Sequence, residues 1–325
     1  MSGGFPSRRS SYVRKSVSRG SERSYALAIR SWGARAAPLL VLSLLVIQIA
    51  FRGIPLDREQ VLLWTTAGLV AVSFNKRDDR ILLRVVRDWV PLVCLLLLYD
   101  LSRGAADALG MPVQEWFPAW FDRWLFGGEL PTWALQRRFL TSPEPGRWDA
   151  LVSLVYVSHF IIPYAILAAL WIRNRAVWVA ASTRFIVLTL MALATYALVP
   201  TAPPWLLARQ GKIEPVSRSA ARGWGQLHLT IAGDLVEKGQ ASVNLVAALP
   251  SLHAAYPMLF VIVLWPIVGP TGRALALSYS CAMAFVLVLS AEHFVFDIVL
   301  GWAYALVACV AIQRIEHRKA QHVAV

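Results

Sequence analysis

Eight stretches of nearly unbroken apolar sequence constrain this chain more than anything else in it. They lie at about 38–51, 61–74, 85–101, 150–172, 176–199, 246–268, 274–290 and 293–313. Crossing the hydrocarbon core of a bilayer takes roughly 20 apolar residues per helix. The runs therefore read as about eight spanning helices, the shorter ones implying tilt or different boundaries. Composition agrees, since the 325 residues are 57% hydrophobic and only 16% charged. A soluble chain of this length could not bury so much apolar surface. The expected fold is an all-α, polytopic membrane protein.

The net charge of +13 would fit a nucleic-acid binder if it formed one patch. It is instead spread over short stretches between the apolar runs, as in loops facing anionic lipid, so no nucleic acid is expected as a partner. The Lys/Arg bias orients the chain. Arg8 to Arg35, the 75–87 loop with Lys76, Arg77, Arg80, Arg84 and Arg87, the turn at Arg173 and Arg175, and Arg314, Arg318 and Lys319 should face the cytoplasm. Loops 102–149 and 200–245 then face outside, with both termini inside a cell membrane. The expected division is a disordered basic cytoplasmic tail over 1–37, two N-terminal helices over 38–84, a catalytic membrane domain over 85–313 and a cytoplasmic tail over 314–325. Ser7-Arg8-Arg9-Ser10 is not read as a twin-arginine signal, because the first apolar run begins only near Pro38. Cys94, Cys281 and Cys309 all lie inside apolar runs and offer neither a disulfide framework nor a metal-binding spacing.

Two outer loops carry information. Over 112–138, the positions Trp116, Phe117, Trp120, Phe121 and Trp124 have helical spacing and give an aromatic face among Glu115, Asp122 and Arg123. This reads as an amphipathic helix in the headgroup layer, either a simple anchor or a wall for a lipid substrate. The 200–245 loop opens with Pro200-Thr201-Ala202-Pro203-Pro204-Trp205, a rigid turn that ends the fifth helix.

The chemistry concentrates in Leu249-Pro250-Ser251-Leu252-His253-Ala254-Ala255 and in Glu292-His293-Phe294-Val295-Phe296-Asp297. In the topology above, His253, His293 and Asp297 all reach the extracytoplasmic surface. His293 and Asp297 are four apart and share a helix face. The carboxylate can hold one imidazole nitrogen and leave the other as nucleophile or base. Attack on phosphorus would form a phosphohistidine, with His253 as general acid to the leaving alkoxide. The Ser251 hydroxyl and nearby amides suit phosphate oxygens. Arg103, Arg209, Arg218 and Arg222 lie on the correct side to neutralise a transferring phosphoryl group.

Each feature also has a plainer explanation. His159 reads as a packed membrane histidine, Ser251 as a helix cap, and the His/Asp pair alone is common. Two histidines and an aspartate also fit a metal site, but no metal or other cofactor is expected. A proton- or ion-coupled transporter would use His159, His253, His293 and Asp297 as a path, and Asp88, Asp100 and Arg184 are compatible with it. It would spread ionisable groups through the membrane, whereas the two motifs cluster at one surface. A catalytically inactive lipid-binding scaffold is the third reading.

Pro250-Ser251-Leu252-His253 matches PSxH and His293 with Asp297 matches HxxxD. In these motifs the chain resembles the type-2 phosphatidic acid phosphatase (PAP2) superfamily. Within it, PSLHA and Pro203-Pro204-Trp205 resemble the inositol phosphorylceramide synthase branch, over roughly 85–313. The resemblance implies a PAP2-like helical bundle, His293 as nucleophile, Asp297 as its orienting partner and His253 as general acid, without metal. It implies a lipid phosphate or phospholipid donor in the bilayer and water or an alcohol such as inositol as acceptor. The activity is then a lipid phosphatase or, preferred here, a phosphotransferase. The phosphatase branch's KxxxxxxRP motif is absent, and its arginine six residues before the nucleophile is here Leu287. Phosphate must then be held by other cations, with Arg218 and Arg222 preferred and Arg103 next.

Overall fold

The computed structural model describes residues 36–48, 51, 58–73, 81–101, 109–227 and 245–323. Arg103, the 228–244 part of the outer loop and nearly all of the 1–37 tail lie outside them. The described residues are all-helical and form no strand. The helices are α1 (Ala36–Gln48), α2 (Arg58–Ser73), α3 (Ile81–Leu101), α4 (Phe117–Leu125), α5 (Pro131–Phe139), α6 (Arg147–Ser158), α7 (Ile162–Arg173), α8 (Arg175–Leu198), α9 (Pro204–Arg209), α10 (Leu252–Leu264), α11 (Pro270–Leu289) and α12 (Val295–Val323). By length and composition, α8, α11 and α12 can each cross a membrane among the described residues, and the bent pair α6–α7 is long and apolar enough to be a fourth, as a broken span or a re-entrant loop. Two more apolar helices, α1 and α10, are shorter. Each of the eight apolar runs is helical over most of its described length.

Two sequence expectations are revised. The run at 150–172 is two helices meeting at a 49° bend. Pro163 has no N–H for the carbonyl of His159, and the chain passes this point in tighter bonds, from Phe160 to Val157 and from Ile161 to Ser158. The 112–138 stretch is likewise two helices, because Gly127 and Gly128 take φ of 70° and 101° after α4. Its aromatic residues also divide between two faces. Trp116, Trp120 and Trp124 point outward, while Phe117 and Phe121 turn in against Phe296, at ring distances of 5.1 and 4.8 Å.

The bundle is built around α10, which packs on α8, α11 and α12. Lipid tails are as apolar as leucine, so close van der Waals fit rather than the hydrophobic effect holds such helices together. Gly301 shows the fit required. A β-carbon there would come within 2.5 Å of the Ser251 carbonyl, so α12 crosses the start of α10 only because this residue has no side chain. One core gathers Trp89, Leu167, Phe185, Leu188, Leu259 and Ala308; a second gathers Val152, Tyr156, Trp224, Met283 and Leu287. A third, of Ala119, Leu130, Ala202, Leu207 and Phe294, seats α4 under the α11–α12 turn. Leu151, Leu154, Val179, Leu190, Val299 and Leu306 remain exposed on the helices, as lipid-facing residues do.

Ion pairs tie the far ends. Asp88 accepts from Trp171 Nε1 at 2.8 Å and from both terminal nitrogens of Arg175. Arg184 pairs with Glu316 through bonds of 3.1 and 2.7 Å. Along α8 these arginines lie about 31 and 18 Å from Tyr196, whose hydroxyl bonds the Pro250 carbonyl at 2.7 Å. Asp88 and Arg184 are thus structural partners away from the histidines. The Asp100 side chain lies outside the described residues.

Candidate active site

His253 is the second residue of α10. Ser251 caps that helix, its Oγ accepting from the Ala254 amide at 3.3 Å, while its own amide donates to the Asp297 carbonyl at 3.0 Å. A serine cap is worth about 1 kcal/mol. The same residue here also joins the starts of α10 and α12. Pro257, one turn further on, lacks the N–H that would bond the His253 carbonyl. The same proline spacing follows His159, and the two imidazoles stack with centroids 3.9 Å apart. Tyr156 covers another side of His253 at 5.2 Å.

His293 lies on the tight link between α11 and α12. The end of α11 is a Schellman turn, with the Ala291 amide on the Val288 carbonyl and the Glu292 amide on the Leu287 carbonyl, both at 3.1 Å. Ala291 holds φ 59°, a position that usually selects glycine. The last carbonyls of α11 are taken up from outside. Leu289 receives Gln136 Nε2 at 2.8 Å, Ser290 receives the Ser219 amide at 3.2 Å, and Ala291 receives the Trp205 amide at 3.1 Å. The Pro-Pro-Trp turn therefore braces the histidine link directly. The 200–202 segment is itself held by isolated parallel bridges to Gln114 and Ala247.

Two carboxylates hold the start of α12. Asp297 Oδ2 accepts from the Phe294 amide at 2.9 Å and lies 3.4 Å from His293 Nδ1. Its other oxygen is buried without a hydrogen-bond partner among the described residues. Asp122, reaching up from α4, accepts from the Val295 amide at 2.8 Å and the Phe296 amide at 3.0 Å. Asp122 has no exposed surface. Burial pushes its carboxyl up, the two amides pull it back, and the nearby Asp297 charge raises it again, leaving it at about 7.

The rings of His253 and His293 have centroids 5.7 Å apart. Beside them, Arg218 gives Nε to Glu292 at 2.7 Å and Nη2 at 2.9 Å, and its guanidinium lies 4.7 Å from the Trp205 ring. Burial works against that charge, but the Glu292 carboxylate and Tyr156 outweigh it and hold the guanidinium above its ordinary value. Tyr156 therefore touches both Arg218 and His253. Arg222 is placed differently. Its Nε lies 3.1 Å from Asp149, and it donates to the Ser142 carbonyl, pinning its 3-10 turn to the start of α6. Asp149 is about 10 Å along α6 from Tyr156. The structure thus brings together His253, His293, Asp297, Ser251 and Arg218, with Arg222 engaged at a neighbouring packing contact.

Sequence reasoning singled out neither Asp122, Tyr156 nor Glu292 as members of this cluster. Only Asp122 left a signal: it is two residues from both Trp120 and Trp124, so it is an acid on the inward face of an amphipathic helix. Chemically, the cluster offers two neighbouring imidazoles, a carboxylate 3.4 Å from one of them, and an arginine joined to the other through Tyr156.

The family model of the PAP2 superfamily matches residues 121–311, which include both histidine motifs, Asp122 and Arg218. The chain is also similar to the phosphoinositol dihydroceramide synthase of Bacteroides thetaiotaomicron, with 26% identity over 168 residues, covering 49% of this chain and 53% of that one. The chain thus spans about half the length of that relative. No solved structure matches. With more than half of the chain matched, this protein belongs to the PAP2 superfamily.

Proposed function

We propose that the protein is a membrane-embedded lipid phosphotransferase of the inositolphosphotransferase kind, working through a phosphohistidine at the extracytoplasmic face. The observation that carries this reading is the opposition of His253 and His293 at 5.7 Å, with Asp297 3.4 Å behind His293 Nδ1. Rings this close put both imidazoles within reach of one phosphoryl group. Asp297 keeps the proton on Nδ1, leaving the Nε2 lone pair for attack. The bond from Nε2 to phosphorus forms as the bond from phosphorus to the leaving alkoxide breaks, and that alkoxide takes a proton from His253. In the return step His253 removes a proton from the acceptor hydroxyl, whose oxygen attacks phosphorus and releases His293.

The amides at the start of α12 are occupied by Asp122 and Asp297, so they do not serve the phosphate. Arg218 is the nearest cation to the two rings among the described contacts, and Ser251 retains its hydroxyl proton to donate. Arg222 and Arg103 are assigned a supporting part in drawing the anion into the outer loop. The preference for an alcohol acceptor over water rests on the motif resemblance and on the synthase relative, and inositol phosphate is the group proposed to be transferred. We assign eight spans, cytoplasmic tails over 1–37 and 314–325, two N-terminal helices over 38–84 and the catalytic domain over 85–313. The family match falls wholly within that last segment.

The test uses purified protein in nanodiscs with a panel of labelled phospholipid donors, an inositol phospholipid among them, and lipid phosphate donors, with and without a lipid alcohol as acceptor. Turnover that persists in chelator, passes label to the alcohol and disappears in His293→Ala and His253→Ala is expected. Turnover abolished by chelator, or undiminished in His293→Ala, would sink the proposal.

A further inference from the structure

The proposed chemistry needs His293 fixed against His253, yet His293 belongs to no helix. It sits on the link from residue 290 to 294, and its own amide makes only a long bond, 3.3 Å, to the Leu287 carbonyl. The next three amides lie at the start of α12, where no intrahelical acceptor exists. One is taken by Asp297. The other two, Val295 and Phe296, go to the opposite oxygens of Asp122, 173 and 174 residues away in the chain. Just before Asp122 on α4, Phe117 and Phe121 close on the Phe296 ring. Ala119 packs in the same cluster as Phe294. This is a built socket: an acid with no exposed surface, both oxygens used, with two aromatic rings of its own helix closed on the residue it holds.

We propose that Asp122 is a positioning residue for the catalytic dyad, setting His293 and Asp297 by gripping the first turn of α12 through both carboxylate oxygens. It does not touch the reacting atoms. It acts through backbone that carries His293 on one side and Asp297 on the other. The grip needs a carboxylate. An asparagine offers one acceptor, and its amide nitrogen confronts the remaining N–H. A protonated Asp122 is in a similar position. The inference rests on the phosphohistidine reading of the same site.

Asp122→Asn tests it, assayed per folded molecule beside wild type and His293→Ala. The expected result is a fall of 10- to 100-fold in kcat at pH 8, with the donor KM changed less than threefold. Acidification carries the diagnostic readout. Asp122 titrates near pH 7, so below that pH wild type loses its own carboxylate. The ratio of variant to wild-type kcat should then climb toward one between pH 8 and pH 5.5. The charged groups around Asp122 are Asp297 on α12 and, on its own helix, Arg123, which is turned away to Glu214 at 2.6 and 2.7 Å. Arg123 is common to both proteins, and the Asp297 charge acts on Asp122, so the ratio reports the two carboxylates together. A variant kcat within twofold of wild type at pH 8 would overturn the inference, and so would a lowered ratio that stays flat with pH. If asparagine prevents folding, Asp122→Ser, smaller and able to accept from one amide, takes its place with the same two readouts. Loss of activity in His293→Ala with wild-type behaviour at position 122 sinks this inference alone. Full activity in His293→Ala sinks the phosphohistidine reading beneath it.

Discussion

Asp297 Oδ2 accepts from the Phe294 amide at 2.9 Å and stands 3.4 Å from His293 Nδ1. An asparagine can keep its oxygen at both contacts but carries no charge to set against the cation that forms when Nε2 bonds phosphorus. Asp297→Asn should therefore keep the fold and lower kcat by about 10³-fold or more, the order seen on losing the carboxylate behind a catalytic histidine. Steady-state kinetics on protein with an unchanged thermal midpoint checks this. Asp122 makes a separate prediction about stability. Its folded value of about 7 lies above the ordinary carboxyl value of 3.8. Between these limits the folded protein holds a proton that the unfolded chain has released. Stability from this group therefore falls as pH rises from about 4 to 7 and is level above that. Thermal midpoints of wild type relative to Asp122→Asn should drop across that window and then plateau. Short motifs and the charge bias single out His253, His293, Asp297 and Arg218, and the structure brings these residues together. Asp122, Tyr156 and Glu292 were not legible in the sequence, because their roles come from contacts between distant segments. The pair of Arg218 and Glu292 spans 74 residues and that of Asp122 and Val295 spans 173.

At the level of elements, the crossing of α12 over the start of α10 brings the two histidines together. Gly301→Ala would set a methyl against the Ser251 carbonyl, where 2.5 Å is available. Backbone cannot yield there as a flexible side chain would. The two helix starts should separate, with kcat falling at least tenfold and the thermal midpoint dropping by several degrees. A Gly301→Ala protein with wild-type kcat and midpoint would show that this contact does not set the site. Helix existence was legible from apolar run length alone. The break at residues 159–161 was hidden inside one such run, because Pro163 is tolerated in a membrane helix and hydropathy does not register the lost N–H. The turn after α4 was hidden for a related reason: aromatic spacing continued up to Gly127 and Gly128, where backbone conformation ended the helix.

For the whole molecule, the charge bias and the site geometry make one joint statement about sidedness. Ser217 lies beside Gln136 in a loop that the charge bias assigns to the outside, and Asn174 forms the turn between α7 and α8, assigned to the cytoplasm. In a background without Cys94, Cys281 and Cys309, Ser217→Cys should react with a membrane-impermeant maleimide in intact cells. Asn174→Cys should react only after permeabilisation, and the opposite pattern would invert the topology. The central claim concerns bond formation at His293. The most direct measurement mixes enzyme with a donor labelled at phosphorus, quenches in base to preserve a phosphoramidate, and maps the label by peptide sequencing. The account predicts base-stable, acid-labile label on His293, increased in His253→Ala if acceptor attack slows more than loading, and absent from His293→Ala. Label on another residue, or single-turnover product formation with no labelled protein at any time, would contradict it.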